Sequence, residues 1–351
     1  MNTTTHVLPT IDEEIWRYSR IGELNLGAFL AGEAGTTVTG ADGLGSAEPG
    51  VAMTAPPDVF ATMNGESPAT VGLRVPRGTV HPQTIEILHE VRDDGAMVRP
   101  RLVIDAETDS EITVVERFAS PDGVRALVLP VVEIRAAAAA RVTYVAINEL
   151  GRDAWMIGHQ CAVVGRDSRV RTFTVALGGD YARVRAEVRL VEKGAEAQQT
   201  ALYFADGSQM HDFRTLQVHE APRTRSDLLF KGAVKDSARS VYTGLIRITE
   251  QGTKSEAFQT NRNLTLSHGA WAESVPNLEI ETNDVKCSHA STVGPIDEAQ
   301  RFYLESRGVP PDVAERLVVL GFFDEVIDRL PAIGAVAAVR SKVGTKLGVA
   351  R

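Results

Sequence analysis

A chain of 351 residues, 43% of them hydrophobic, can bury a substantial core, and its length admits one elongated domain or two or three compact ones. A formal net charge of −9 and a pI near 5.5 argue against nucleic acid or an anionic membrane as the main partner, because both demand a basic footprint. The two cysteines, Cys161 and Cys287, form no disulfide framework and are too few for a four-thiolate cluster.

The first residues, Met1-Asn-Thr-Thr-Thr-His, lack the basic and apolar regions of a secretion signal. The most apolar run, Ala126 to Ile147, is broken by Glu133, Arg135 and Arg141, so a cytoplasmic chain without a membrane span is expected. Thr10 to Leu30 reads as helical, with Asp12-Glu13-Glu14 at the positive end and Ile15, Tyr18 and Ile21 to Leu24 as an apolar stripe. Gly32 to Pro57, rich in Gly, Ala, Thr and Pro, suits a mobile linker with little chemistry, and a short helix fits between Asp58 and Gly65. Residues 1–70 are therefore expected to form a helical segment followed by a flexible linker.

From Val71 to about His289, short Val/Ile/Leu strands alternate with polar residues, as in Ile112-Thr-Val-Val, Val170-Arg-Thr-Phe-Thr-Val and Leu245-Ile-Arg-Ile. Turn-like punctuation recurs at Glu192-Lys-Gly, His219-Glu-Ala-Pro, Glu250-Gln-Gly and Ser267-His-Gly. Its irregular spacing, roughly 18 to 30 residues, suits the turns of a β-solenoid better than hairpins. A parallel β-helix is expected over 71–292, with a β-sandwich as the structural rival. After Gly294 the period becomes helical, and 293–351 is expected to be a C-terminal helical domain. Asp297-Glu298 starts one helix that Gly308 ends, and Pro310-Pro311-Asp312 opens another running to about Arg329. Its face of Val313, Leu317, Leu320, Phe322 or Phe323, Val326 and Leu330 is broad enough for the core and a partner. A last helix is expected over Ala332 to Leu347.

At the junction of the two textures stands Asn283-Asp-Val-Lys-Cys-Ser-His-Ala-Ser-Thr-Val-Gly294. In an extended strand Cys287 and His289 share a face, and a thiolate beside an imidazole is half of a site for iron or zinc, which usually take four ligands. Each alone can equally be a packing residue. His159 and Cys161 repeat the spacing in reverse, but flanking apolar residues favour a structural role. His219 and Glu220 suit a polar ladder, and Glu279 and Glu281 can share a face, where they can hold iron, act as acid and base or simply face water. Gly252-Thr-Lys-Ser255 lacks the glycines of a phosphate-binding loop, so no ATP hydrolysis is expected.

The run from Asn283, continued by Ile296-Asp-Glu-Ala-Gln-Arg-Phe-Tyr-Leu-Glu-Ser-Arg-Gly-Val309, resembles the SufB/SufD family of iron-sulfur cluster assembly proteins, whose pattern is close to D-D-V-K-C-S-H-G-A-T-V-G followed by D-E-x-x-x-F-Y-L-x-S-R-G-I. Phe230-Lys-Gly-Ala-Val, Gln259-Thr-Asn-Arg-Asn-Leu-Thr-Leu-Ser267 and Pro276-Asn-Leu-Glu-Ile280 extend the likeness upstream, and it weakens between about Ala31 and Pro68. Asn283 replaces the first Asp, Ala290-Ser291 replaces Gly-Ala, and Phe213-Arg214 interrupts a stretch that often holds His before Thr. With only two cysteines the chain looks like SufD rather than SufB.

The resemblance implies a right-handed parallel β-helix and a non-catalytic scaffold subunit. It implies pairing with SufB, docking of the ATPase SufC on the C-terminal helices, and a nascent cluster or iron shared with SufB. It carries a ligand role onto His289 and, less directly, Cys287, and admits a reduced flavin in the complex. Leu278, Ile280, Val285, Phe302, Tyr303, Leu317, Leu320 and Phe323 are the expected partner contacts, and an open terminal edge leaves self-pairing of the isolated chain open. The rival functions are a carbohydrate-active β-helix enzyme with an acidic cleft and a metal-free homodimeric scaffold.

Overall fold

A computed structural model describes residues 6–66, 68–331 and 334–348. Its core is a parallel β-helix of two facing sheets, of 11 and 9 strands. The chain crosses from one sheet to the other in every coil. The first sheet ends with Met210–His219, Arg239–Ile248 and Trp271–Ile280, and the second with Arg225–Val234, Glu256–Thr265 and Lys286–Gly294. Coils are stacked in parallel register, with an offset of 26 residues where Trp155 pairs Tyr181 and 32 where Arg239 pairs Trp271. The shorter and irregular spacing of the turn signals arises because each coil has two corners, and both are marked by turn residues. At one corner Asp109, Ala139, Asp167, Gly194, Arg223 and Lys254 each take a positive φ between 54° and 76°. Only one of these is glycine, so this ladder of left-handed residues is concealed in the sequence.

Alternation along each strand sends one set of side chains into the lumen and the other outward. Val114, Tyr144, Val170, Ile134, Val188 and their neighbours fill the lumen, and it also takes Tyr203, Phe213, Phe230 and Tyr242. Lateral ion pairs link successive coils, among them Arg135 to Asp105 at 2.6 Å, Arg117 to Glu149 at 2.7 Å and Arg189 to Glu220 at 2.7 Å. The arginine of each pair is more than a third exposed, so solvent screening keeps the pairs weak and they fix register more than they stabilise.

Both outer faces are covered. Over the first sheet lie Trp16, Ile21 and Leu24, together with Phe60 and Met63 of helix α1 (Val59–Glu66), packed on Met97, Leu127, Trp155 and Tyr181. The expected helix over Thr10 to Leu30 is instead three single 3₁₀ turns, at Glu14–Trp16, Ile21–Glu23 and Leu26–Ala28, ending in the short strand Leu30–Ala31. Tyr18 has φ 68° between the first two turns, and Arg183 reaches the Ile15 carbonyl at 2.5 Å while lying 4.1 Å from the Trp16 ring centroid. Seating Trp16 on this buried arginine overrides the helical pattern.

The expected mobile linker is also tied down. Gly35–Thr39 pairs antiparallel with Ile85–Glu90, and the backbone N–H groups of Gly50, Ala52 and Met53 donate to Glu133 at 2.9–3.1 Å. Arg101 donates to the same carboxylate at 2.5 Å, and the Glu133 side chain is 0% exposed.

The second sheet is covered by α3 (Pro311–Ile327) and α4 (Ala335–Lys346), while α2 (Glu298–Ser306) packs on α3. Asp297 caps α2 by accepting from Ala299 and Gln300, and Pro311 opens α3, as the sequence signals indicate. The expected last helix begins at Ala332, which lies outside the described residues; the described part starts at Ala335. Val319, Phe323, Val326 and Ile327 of α3 with Val339 and Val343 of α4 pack on Phe173, Val175, Leu202 and Phe204. No helix among the described residues is long and apolar enough to cross a membrane.

Burial pushes the Glu133 carboxyl upward, but donation from Met53, Arg101, Ala52 and Gly50 outweighs it and holds the group below its ordinary 4.5. Its contribution is therefore complete above pH 4.5 and is lost as pH falls through the depressed value. Glu133→Ala leaves Arg101 buried without a counter-charge and is expected to cost about 3–5 kcal/mol. Urea unfolding at pH 7 checks the loss, which should shrink when repeated well below pH 4.5.

Candidate functional site

The last coil is the open end of the solenoid. Its strands Trp271–Ile280 and Lys286–Gly294 terminate the two sheets, each hydrogen-bonded on one side only among the described residues. Lys286–Gly294 runs in register on Glu256–Thr265, pairing Cys287 with Ala257 and His289 with Gln259. Ala257 and Gln259 are buried lumen residues, so Cys287 and His289 occupy the same inward face, as the i, i+2 spacing requires. With no coil above them, the inward face of this strand is a mouth rather than a core.

The two donors differ in exposure. Cys287 is half-buried against Ile246, Ile248 and Ala257, and this burial raises its thiol pKa above the ordinary 9.0. His289 is exposed at the mouth. Lys286, whose side chain projects to the other face, is held by Glu256 at 2.8 Å. Among the described residues no three His, Cys, Asp or Glu side chains are grouped to hold a metal. Glu279 and Glu281 are both held by Arg247, at 3.8 and 2.9 Å.

The remaining pair, His159 and Cys161, lies within the core. Burial lowers the His159 pKa to about 4 and raises that of the Cys161 thiol, whose Sγ donates to the Val132 carbonyl at 3.5 Å. His219 is buried and hydrogen-bonded to Thr224 at 2.7 Å and Ser226 at 2.9 Å, the polar corner its position suggested.

The predicted contact residues divide by location. Leu278 (38% exposed) and Ile280 (42%) rim the mouth with Val293, and Val285 is half-buried beside Cys287. Phe302, Tyr303 and Leu317 are exposed on α2 and α3. Tyr303 and Leu317, with Leu264, Leu304, Val318 and Phe322, line a groove of about 750 Å³. Leu320 is half-buried and packs on the core. Phe323 is a correction: it is 0% exposed, 6.2 Å from Phe204 between ring centroids, and seats α3 on the solenoid instead of meeting a partner. A stripe of adjacent phenylalanines does not tell which one faces inward; the sheet beneath it decides.

Sequence reasoning missed the polar seat of the helices. Lys231 rises from the second sheet to Glu325 at 2.6 Å and to the Phe322 carbonyl at 2.8 Å. Lys342 meets Glu149 at 2.8 Å, and Lys346 pairs with Asp206 and reaches Gln209 at 2.7 Å. It also quoted Gln259 without assigning it a role, although the coil offset places that residue under His289.

A parallel β-helix followed by a layer of C-terminal helices is the architecture that the resemblance implied. The family model for the SUF system FeS cluster assembly SufBD core domain matches residues 89–322. The chain therefore belongs to the SufBD family of SUF-system iron-sulfur cluster assembly proteins. It is similar to an iron-sulfur cluster assembly SufBD family protein of Mycobacterium bovis, with 42% identity over 213 residues covering 58% of this chain and 53% of the relative. It is similar also to the iron-sulfur cluster assembly proteins SufD of Bacillus subtilis (29% over 278 residues, 78% and 63%) and of Escherichia coli (29% over 244 residues, 70% and 58%). The chain thus spans between about half and two thirds of the length of these relatives.

The contrast between the thiols has a direct readout. A water-soluble disulfide reagent applied to the native chain is expected to modify Cys287 while sparing Cys161, and both should react in denaturant. Mass spectrometry of the labelled peptides checks the assignment.

Proposed function

We propose that this chain is a non-catalytic, SufD-like subunit of a SUF scaffold that works with SufB and SufC. The observation that carries the reading is the pair Cys287 and His289 on the inward face of an uncapped coil, with two free strand edges beside it. A second β-helix can dock there by continuing the sheets through the backbone groups of Trp271–Ile280 and Lys286–Gly294. Leu278, Ile280 and Val293 then pass from water into the joint, and His289 lies where the two solenoids meet. Its imidazole supplies one ligand to iron or to a nascent cluster, which is substrate here, and SufB completes the coordination with thiolate and carboxylate. The half-buried Cys287 either assists as a thiolate or packs the joint; its raised pKa favours packing until a metal displaces the proton.

The groove between α2 and α3 is the seat we assign to SufC. Because α3 and α4 are fastened to the second sheet by Phe323, Lys231 and Lys346, a pull on the helices is passed to the stacked coils. ATP-driven closure of SufC would in this way shift one solenoid against the other and open the shared site.

Anaerobic co-purification with SufB and SufC, followed by iron and sulfide analysis, tests the site. His289→Ala is expected to leave the complex intact and to lower iron and sulfide severalfold; an unchanged content refutes the ligand role. The docking surface is tested separately by Leu317→Glu, which places a charge in the groove without touching the core. It should abolish retention of SufC while sparing association with SufB, and normal retention would move the ATPase site elsewhere.

A further inference from the structure

One buried side chain beneath the mouth has no packing reason to be polar. Gln259 is 2% exposed, and neither its Oε1 nor its Nε2 has a hydrogen-bond partner among the described residues. One coil below, the same inward column is filled by Leu228, which is fully buried, so a leucine fits this column. A buried carboxamide without a partner carries its desolvation cost with no return.

Its carboxamide faces the other strand of its own coil across the lumen. The amide nitrogen lies against Gly244 of the facing sheet, where a Cβ would collide with it and with the Tyr242 hydroxyl. That hydroxyl is engaged with Thr215 Oγ1 at 2.9 Å. Above Gln259 stands His289, its register partner on the adjacent strand. In a parallel ladder such partners project to one face at the interstrand spacing of about 4.8 Å; the two side chains are not hydrogen-bonded in this structure, and rotation of the carboxamide toward the mouth would bring them together.

We infer that Gln259 is a positioning residue for His289. Its carboxamide oxygen accepts one ring N–H of the imidazole, which fixes the tautomer and turns the lone pair of the other ring nitrogen out through the mouth. Metal-binding histidines are commonly oriented by such an acceptor on the second nitrogen. The inference rests on the ligand role proposed for His289, but its geometric content can be measured without any metal.

The test uses the full chain labelled with ¹⁵N-histidine at a pH where the ring is neutral, with the His289 signals assigned by their loss in His289→Ala. The wild-type ring is expected in one dominant tautomer. Gln259→Leu should shift the tautomer ratio by about fivefold, the effect of one net hydrogen bond, with circular dichroism and melting unchanged. Gln259→Glu, which keeps an acceptor, should restore the dominant form. Should the leucine variant fold poorly, Gln259→Met keeps the chain length without an acceptor and reads the same ratio. A ratio indifferent to leucine or methionine overturns the inference, even if His289→Ala lowers the iron content of the complex. A responsive ratio combined with normal iron in His289→Ala supports the positioning contact and refutes the ligand reading alone.

Discussion

Everything in this molecule depends on in-register stacking of parallel strands. Each coil satisfies its backbone by donating to and accepting from the coils on either side, so side chains fall into continuous columns and each column has one environment along the rod. The column of Ala257 and Cys287 and that of Gln259 and His289 are two such lines. They are lumen columns throughout, and they become a surface only because the stack stops. The site is thus made by terminating a regular structure, with no loop or cleft added to it.

The same regularity explains how the outside is used. An inward-outward alternation leaves two broad apolar outer faces, and the chain covers each with a segment from one of its ends. Trp16 and Phe60 lie on the first sheet, and Phe323 and Val343 on the second. Ion pairs fasten both coverings: the buried pair of Arg183 with Asp212 beneath the N-terminal turns, and the buried Lys231 with the half-exposed Glu325 on α3. The buried Arg183–Asp212 pair adds little net stability over an apolar one but is costly to break from one side, which suits a contact that must hold a layer in a single position.

How far the sequence disclosed this follows from the range over which each feature is encoded. Strands, the cap of α2, the start of α3 and the placing of Cys287 and His289 on one face are local, and the alternation of Val and Ile, Asp297 before Glu298, Pro311 and the i, i+2 spacing reveal them. The family motif made the solenoid legible as a whole. What stayed hidden is set by partners far away in the chain. The turns around Trp16 depend on Arg183, the segment at Gly50 depends on Glu133, and the orientation of Phe323 depends on Phe204. Gln259 is an intermediate case, since the link to His289 is a simple offset of one coil that can be read only once the coil length is known.

The open end has one further property. In a stacked array each repeat draws its stability from its nearest neighbours, and the coil bearing Cys287 and His289 has a neighbour below and, among the described residues, none above. A repeat with one neighbour has fewer stacking contacts than an interior one, so this coil opens more readily than the coils beneath it, and under the proposed pairing a second solenoid would stand in for the missing repeat. Under the proposed pairing, that neighbour would also stiffen the strand that carries Cys287 and His289.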